Sequence, residues 1–128
     1  MPEFSRRARG FAVYAALRSL GRSGVADLVE GCCAHARRFA DLLGAAEGVE
    51  ILNEVVLNQV LVRIRDGSTT DEVMRRVRES GVAWMSGTQW GGESAMRLSV
   101  SNWQTTAEDV ERTAAAILAA VRAVAPAA

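Results

Sequence analysis

The segment at residues 95–109 constrains the fold most, because its pattern changes from that of a strand to that of a helix within a few positions. Apolar and polar side chains first alternate, so one face of the predicted strand is apolar and the other is polar. The apolar face holds Met96, Leu98 and Val100, and the polar face holds Arg97, Ser99 and Ser101. Thr105 and Glu108 then match a capping box, which predicts the start of a helix. The segment therefore predicts a half-buried strand that leads directly into a helix.

The amino-terminal third of the chain has a helical pattern. Apolar residues recur every three or four positions at residues 6–20, which is typical of an amphipathic helix. The same pattern returns from Val25 and ends at Gly44 or Gly48, after an interruption by the glycines at residues 21–24. This region therefore predicts two leading helices.

The rest of the chain alternates between strand and helix patterns. Short runs rich in Val, Leu and Ile, bounded by turn residues, predict three strands before the one described above. These strands are predicted at residues 49–52, 55–65 and 82–86. A second capping box, Thr69 with Glu72, predicts a helix to about Ser80, and a last helix is predicted from about Thr106 to Ala123. The glycine-rich residues 87–93 predict a flexible loop that carries Trp90.

This order of elements predicts an α+β fold with a small, mainly antiparallel sheet that helices cover on one face. Residues 1–45 are expected to form the two leading helices, and residues 46–128 a β-β-α-β-β-α unit. We expect one domain over residues 1–128, since 49% hydrophobic residues are enough for a core in a chain of this length.

The charged residues are balanced, with 15 basic and 15 acidic side chains. No overall field therefore favours binding to nucleic acid or to an anionic membrane. Every basic residue is arginine, so no side chain of the chain can form a Schiff base with an aldehyde cofactor. Cys32 and Cys33 are adjacent and predict a reducing, cytoplasmic location. A metal site is not expected, because Cys33 and His35 diverge by about 200° on a helix.

Two segments carry a resemblance to a known family. They are SRRARGFAVYAALR at residues 5–18, followed by GRSG at 21–24, and RLSVSNWQTT at 97–106. In this order and at this spacing they resemble the carboxy-terminal part of pyridoxal-phosphate-dependent amino-acid decarboxylases, the group with the aromatic-amino-acid and glutamate enzymes. The resemblance implies the small domain of the fold-type-I enzymes. It also implies that the cofactor lysine lies upstream, so no catalytic or cofactor-binding residue is expected in this chain.

Arg97 is the first candidate for substrate binding. A guanidinium can hold a carboxylate through two parallel, charge-assisted hydrogen bonds. In related fold-type-I enzymes the corresponding strand often presents an arginine to the substrate's α-carboxylate, and the resemblance carries this role to Arg97. The structural alternative is an ion pair with Glu93, Glu54 or Asp109.

Trp90 is the second candidate. Gly91 and Gly92 beside it allow unusual backbone angles, so the segment could be a mobile lid or reach the active site of a partner subunit. A simple hairpin connection with one partly buried ring is the alternative. Trp84 and Trp103 are expected to pack in the core or between domains.

The sequence therefore favours a domain or fragment of a decarboxylase that uses pyridoxal phosphate, with an amino acid as the substrate of the complete enzyme. The expected partner is the missing large domain or a second copy in a homodimer, and the isolated chain is expected to bind no cofactor. Two alternatives stay open: the same domain of an aminotransferase, and a free-standing, non-catalytic module for binding or oligomerisation.

Overall fold

The computed structural model describes residues 6–83, 85–102 and 104–124, with side chains from Gly10 onward. Helices and strands in these parts follow the predicted order, and the α+β fold class is confirmed. They are α1 (Arg6–Gly44), β1 (Val49–Ile51), β2 (Gln59–Ile64), α2 (Gly67–Ser80), β3 (Ser86–Trp90), β4 (Glu93–Ser99) and α3 (Ala107–Ala123). In these parts no helix has both the length and the apolar character that crossing a bilayer requires.

The chain divides after Gly31 into two compact units, residues 1–31 and 32–128. The first unit contains most of α1, whose backbone is non-helical at Gly21, with φ 69° and ψ −179°. Glycine adopts this positive φ without the steric penalty that a Cβ would bring. The predicted interruption between two leading helices is therefore located at Gly21.

The first unit carries a row of exposed apolar side chains on α1. Phe11, Tyr14 and Leu17 are 82%, 65% and 52% exposed, and their three-residue spacing places them on neighbouring turns of one helix. Apolar patches of this kind drive association.

We therefore expect the 128-residue chain to form dimers or larger assemblies at moderate concentration. Sedimentation velocity over a concentration series is the measurement. The double variant Phe11→Glu, Leu17→Glu should shift the distribution to monomer, because it places charge in the patch. A wild-type chain that stays monomeric at high concentration would contradict this expectation.

The second unit contains the sheet, in which all neighbouring strands are antiparallel and the order is β1-β2-β4-β3. The central strands β2 and β4 supply the apolar face of the sheet, and α2, α3 and the last turns of α1 add buried side chains to the core. Fully or almost fully buried residues include Leu43, Val60, Val62, Ile64, Val73, Val77, Met96, Leu98, Val110 and Ile117.

The second strand is shorter than predicted, since it begins at Gln59 and not at residue 55. Residues 55–58 were predicted as strand and are not, and two asparagine side chains near them form hydrogen bonds with the backbone. Asn53 Oδ1 accepts a hydrogen bond from the Leu61 amide at 2.9 Å, and Asn58 Nδ2 donates to the Val100 carbonyl at 2.9 Å. The Asn53 side chain takes the Leu61 amide that a longer β1–β2 ladder would use, and residues 53–58 form a loop.

Both predicted capping boxes are displaced from their predicted positions. Asp66, not Thr69, caps α2, and its carboxylate accepts a hydrogen bond from the Thr69 amide at 2.7 Å. At α3 the reciprocal pair is Thr106 with Asp109 instead of Thr105 with Glu108. The predictions were wrong because several Thr and acidic residues near each helix start fit the pattern, and only the backbone geometry selects one of them.

The two capping carboxylates predict how stability depends on pH. Hydrogen bonds from the backbone and hydroxyl of Thr69 lower the pKa of Asp66 below 3.8, and those of Thr106 lower the pKa of Asp109 in the same way. A carboxylate whose pKa is lower in the folded chain stabilises it above the unfolded pKa, and this contribution is lost as the pH falls through the folded pKa.

We therefore expect the melting temperature to fall as the pH drops below about 4. Asp66→Asn should keep the cap at neutral pH, since asparagine is an equally good N-cap residue, but should flatten the acid dependence. Asp66→Ala should lower the melting temperature by a few degrees at neutral pH. Thermal melts of the three proteins from pH 7 to pH 2 test this, and equal acid slopes for wild type and Asp66→Asn would contradict it.

Candidate functional site

The candidate site lies on the polar face of the sheet, opposite the apolar face of the core. Residues paired directly across antiparallel strands share a face. Arg97 of β4 pairs with Leu61 of β2 on one side and with Ser86 of β3 on the other. The alternation predicted for β4 is thus confirmed, with Met96 and Leu98 buried and Arg97 and Ser99 exposed.

Arg97 is held by a hydroxyl and not by a carboxylate. Its Nε donates a hydrogen bond to Ser86 Oγ at 3.1 Å. Two of the residues named as alternative ion-pair partners lie beside other arginines: Glu93 is 3.9 Å from Arg63, and Asp109 is 3.3 Å from Arg112. Within the described residues no acidic side chain pairs with Arg97, and its terminal nitrogens have no protein acceptor. In the described part of the chain, no protein group therefore occupies the guanidinium edge formed by the two terminal nitrogens, and this edge could bind a carboxylate.

Arg63 is a second arginine on the same face and has a different environment. Its side chain is only 12% exposed. The guanidinium donates to the carbonyls of Trp90, Glu93 and Ser94, the last two at 3.3 and 3.4 Å. Arg63 thus joins β2 to the turn between β3 and β4. Sequence patterns did not single it out, and the one available signal was a charged residue inside a Val-rich strand.

The segment around Trp90 is a β-hairpin and not the predicted flexible loop. Trp90 pairs with Glu93 across a two-residue turn, in which Gly91 and Gly92 have φ of 61° and 83°. Positive φ at both central positions is what a type I′ turn requires, and its twist matches that of the flanking strands. The third strand therefore precedes this turn, at Ser86–Trp90, and not at residues 82–86 as predicted.

The structure does not bring the two predicted site residues together. Trp90 is 46% exposed at the tip of the hairpin and lies opposite Glu93. Glu93 and Arg97 are four residues apart on β4, which corresponds to about 13 Å along the strand. The Arg97 side chain is fixed near the start of β3, whereas Trp90 ends that strand.

Among the described residues, the cysteine, histidine and acidic side chains do not form a second candidate site. Cys32 and Cys33 are buried free thiols. In the parts of the chain that the structure describes, no three His, Cys, Asp or Glu side chains form a group that could hold a metal ion. Trp84 and Trp103 lie outside the described residues, so the prediction of their packing is untested.

Comparison with solved structures identifies the architecture. The Oryza sativa TDC with PLP and tryptamine matches 90% of this chain with a TM-score of 0.83 and 20% sequence identity. The Catharanthus roseus tryptophan decarboxylase in complex with L-tryptophan matches 88%, with a TM-score of 0.81 and 19% identity. The chain has the fold of one part of these decarboxylases. It spans about a quarter of their length, 26% of each.

A bacterial structure also matches this chain. The glutamate decarboxylase domain of diaminobutyrate-pyruvate transaminase and L-2,4-diaminobutyrate decarboxylase from Vibrio parahaemolyticus matches 88% of the chain, with a TM-score of 0.74 and 20% identity. No family model matches the chain, and no curated protein matches it. The fold that the resemblance to these decarboxylases implied is confirmed by the three solved structures.

The residues of this chain offer no side-chain amine to which pyridoxal phosphate could attach. The 128 residues include 15 Lys or Arg, all of them arginine. Covalent attachment of the cofactor needs a side-chain amine, and a guanidinium stays protonated and delocalised at neutral pH. What the chain does provide is a cation on an exposed sheet face, which can bind a carboxylate but cannot attach the cofactor.

Proposed function

We propose that this chain is the small carboxy-terminal domain, or a fragment, of a pyridoxal-phosphate-dependent L-amino-acid decarboxylase. It would supply contacts to the substrate and to neighbouring domains, and the larger part of the enzyme would supply the cofactor and its lysine. The observation that carries this proposal is the match of 90% of the chain to one quarter of a decarboxylase.

Arg97 is the residue that we assign to the substrate. Among the described residues its terminal nitrogens have no protein acceptor, while the neighbouring Arg63 binds three backbone carbonyls. A carboxylate that binds Arg97 end-on would make two charge-assisted hydrogen bonds, which are stronger than bonds between neutral groups. In the complete enzyme Arg97 would thereby orient the amino acid through its carboxylate.

The exposed row on α1 supports an interface role. Phe11, Tyr14 and Leu17 would pack against the large domain or a second subunit, since exposed apolar patches mark contact surfaces. We further propose that the complete enzyme is a cytoplasmic homodimer, a location in keeping with the free thiols of Cys32 and Cys33.

The nucleotide sequence upstream of the Met1 codon tests this proposal directly. An in-frame region that encodes a large domain with a lysine at the end of a strand is expected. Expression of the joined reading frame should then give decarboxylation of an L-amino acid that depends on added pyridoxal phosphate. A stop codon immediately upstream, in a chain that is stable alone, would favour the free-standing module instead.

A further inference from the structure

The two edges of the sheet differ in how they are protected against pairing with another strand. β1, at one edge, has three residues and carries the exposed Glu50. β3, at the other edge, has five residues, Ser86–Trp90, and none of them is charged or a proline. Short length, charge and proline keep an edge strand from binding another strand. β3 has none of these features, so this edge is open to the addition of a strand.

The register of the hairpin determines which backbone groups of β3 point away from the sheet. A two-residue turn closes on a hydrogen-bonded pair, here Trp90 with Glu93, and such pairs then alternate with non-bonded pairs along an antiparallel ladder. The N–H and C=O groups of Gly87 and Gln89 therefore point outward. Both residues are exposed. Among the described residues, no backbone hydrogen bond outside the ladder involves either of them.

The order of side chains on β3 fits a second copy of the same strand. When Thr88 lies opposite Thr88 of the second copy in an antiparallel pair, Gly87 of each strand faces Gln89 of the other, and each such pair exchanges both N–H···O bonds. Gln89 is then opposite a glycine and Trp90 opposite Ser86, so each larger side chain has a small one across from it. Two threonines directly opposite form a favourable cross-strand pair. The contact is therefore self-complementary, as a two-fold interface requires.

We propose that β3 is a docking edge for the β3 strand of a second copy of this chain, in antiparallel register with Thr88 at the two-fold axis. The pairing doubles the four-stranded sheet, and α2, which packs over β2 and β4, does not cover the contact. It places Trp90 of the second copy opposite Ser86, on the polar face that carries Arg97. The α-carbons of that Trp90 and of Arg97 are then about 10 Å apart, so the second copy contributes an aromatic side chain to the candidate site.

The contact is weak by itself, because two five-residue strands bury less area than a stable interface does. We expect a Kd on the order of 1 mM. At moderate concentration the pairing would therefore join chains that already associate through the exposed row on α1. This inference goes beyond the proposed function and does not depend on it.

The test is a dilution series from about 1 mM to about 0.05 mM, followed by backbone amide NMR of the 128-residue chain. The parent chain carries Phe11→Glu and Leu17→Glu, which remove association through α1. The amide protons of Gly87 and Gln89 should shift downfield and exchange more slowly as the concentration rises, because they gain acceptors. Gln89→Pro removes one outward donor from each chain and leaves the β3–β4 ladder intact. It should weaken the pairing by at least about tenfold, as measured from the Gly87 signal.

A charge exchange at Thr88 tests the register and does not depend on the folding of the proline variant. Thr88→Lys and Thr88→Glu should each remove the concentration dependence, because like charges then lie directly opposite each other. An equimolar mixture of the two variants should restore it, because opposite charges then face each other. The matched control is Gln59→Lys, which adds the same charge at an exposed position of the central strand β2 and should leave the pairing unchanged.

Amide signals of Gly87 and Gln89 that stay constant through the dilution of the parent chain would overturn the inference. Concentration-dependent signals confined to another surface would do the same. A mixture of Thr88→Lys and Thr88→Glu chains that pairs no better than either variant alone would also contradict it, since the proposed register places these two side chains opposite each other.

Discussion

Arg97→Lys in the complete enzyme is expected to lower kcat/KM for the amino-acid substrate by about 100-fold, while the melting temperature changes by no more than about 2 °C. Lysine keeps the positive charge but loses the planar pair of donors that grips both oxygens of a carboxylate. The loss of one or two charge-assisted bonds accounts for a factor of this size. Stability should change little, because Arg97 is exposed and bonds only to Ser86 among the described residues.

Arg63→Lys is the matched control for this experiment, since it makes the same chemical change on the same face of the sheet. Its side chain is 12% exposed and holds the turn between β3 and β4, so this variant should lower the melting temperature by more than Arg97→Lys does. Kinetics with the amino-acid substrate and thermal melts of both variants give the comparison. A sharp loss of stability with unchanged kcat/KM for Arg97→Lys would identify Arg97 as a structural residue.

The isolated chain is expected to form no stoichiometric covalent adduct with pyridoxal phosphate and to decarboxylate no amino acid. The reason is compositional, because the sequence contains no lysine and arginine cannot take its place as a neutral amine. The α-amine of Met1, which lies outside the described residues, has an ordinary pKa of about 8. It could condense only weakly with an aldehyde that nothing else holds in place.

Borohydride reduction of the mixture, followed by peptide mass mapping, measures any adduct. The joined reading frame with the large domain is the positive control, and it should give one labelled lysine outside these 128 residues. An adduct in full yield at a position other than Met1, or turnover above that of free cofactor, would contradict the assignment of this chain as a non-catalytic part of an enzyme.

Much of the candidate site was predictable because the relevant information is local. The two-residue alternation along β4 places Arg97 on the polar face whatever its neighbours are. Ser86 was not predictable as its partner, because the sequence predicted a strand at residues 82–86 and a loop after it. The type I′ turn at Gly91 and Gly92 sets the register of the hairpin instead, and register decides which side chains face each other across strands.

The sequence by itself determined the order of helices and strands, the polar face that carries Arg97 and the absence of a lysine, since each is a property of neighbouring residues or of composition. Only the tertiary structure decided that Arg63 binds the hairpin turn, while the terminal nitrogens of Arg97 meet no acceptor in the described part of the chain. Both residues are arginines on central strands, and the sequence does not distinguish them. Their environments differ because strand pairing brings three backbone carbonyls to Arg63 and the hydroxyl of Ser86 to Arg97.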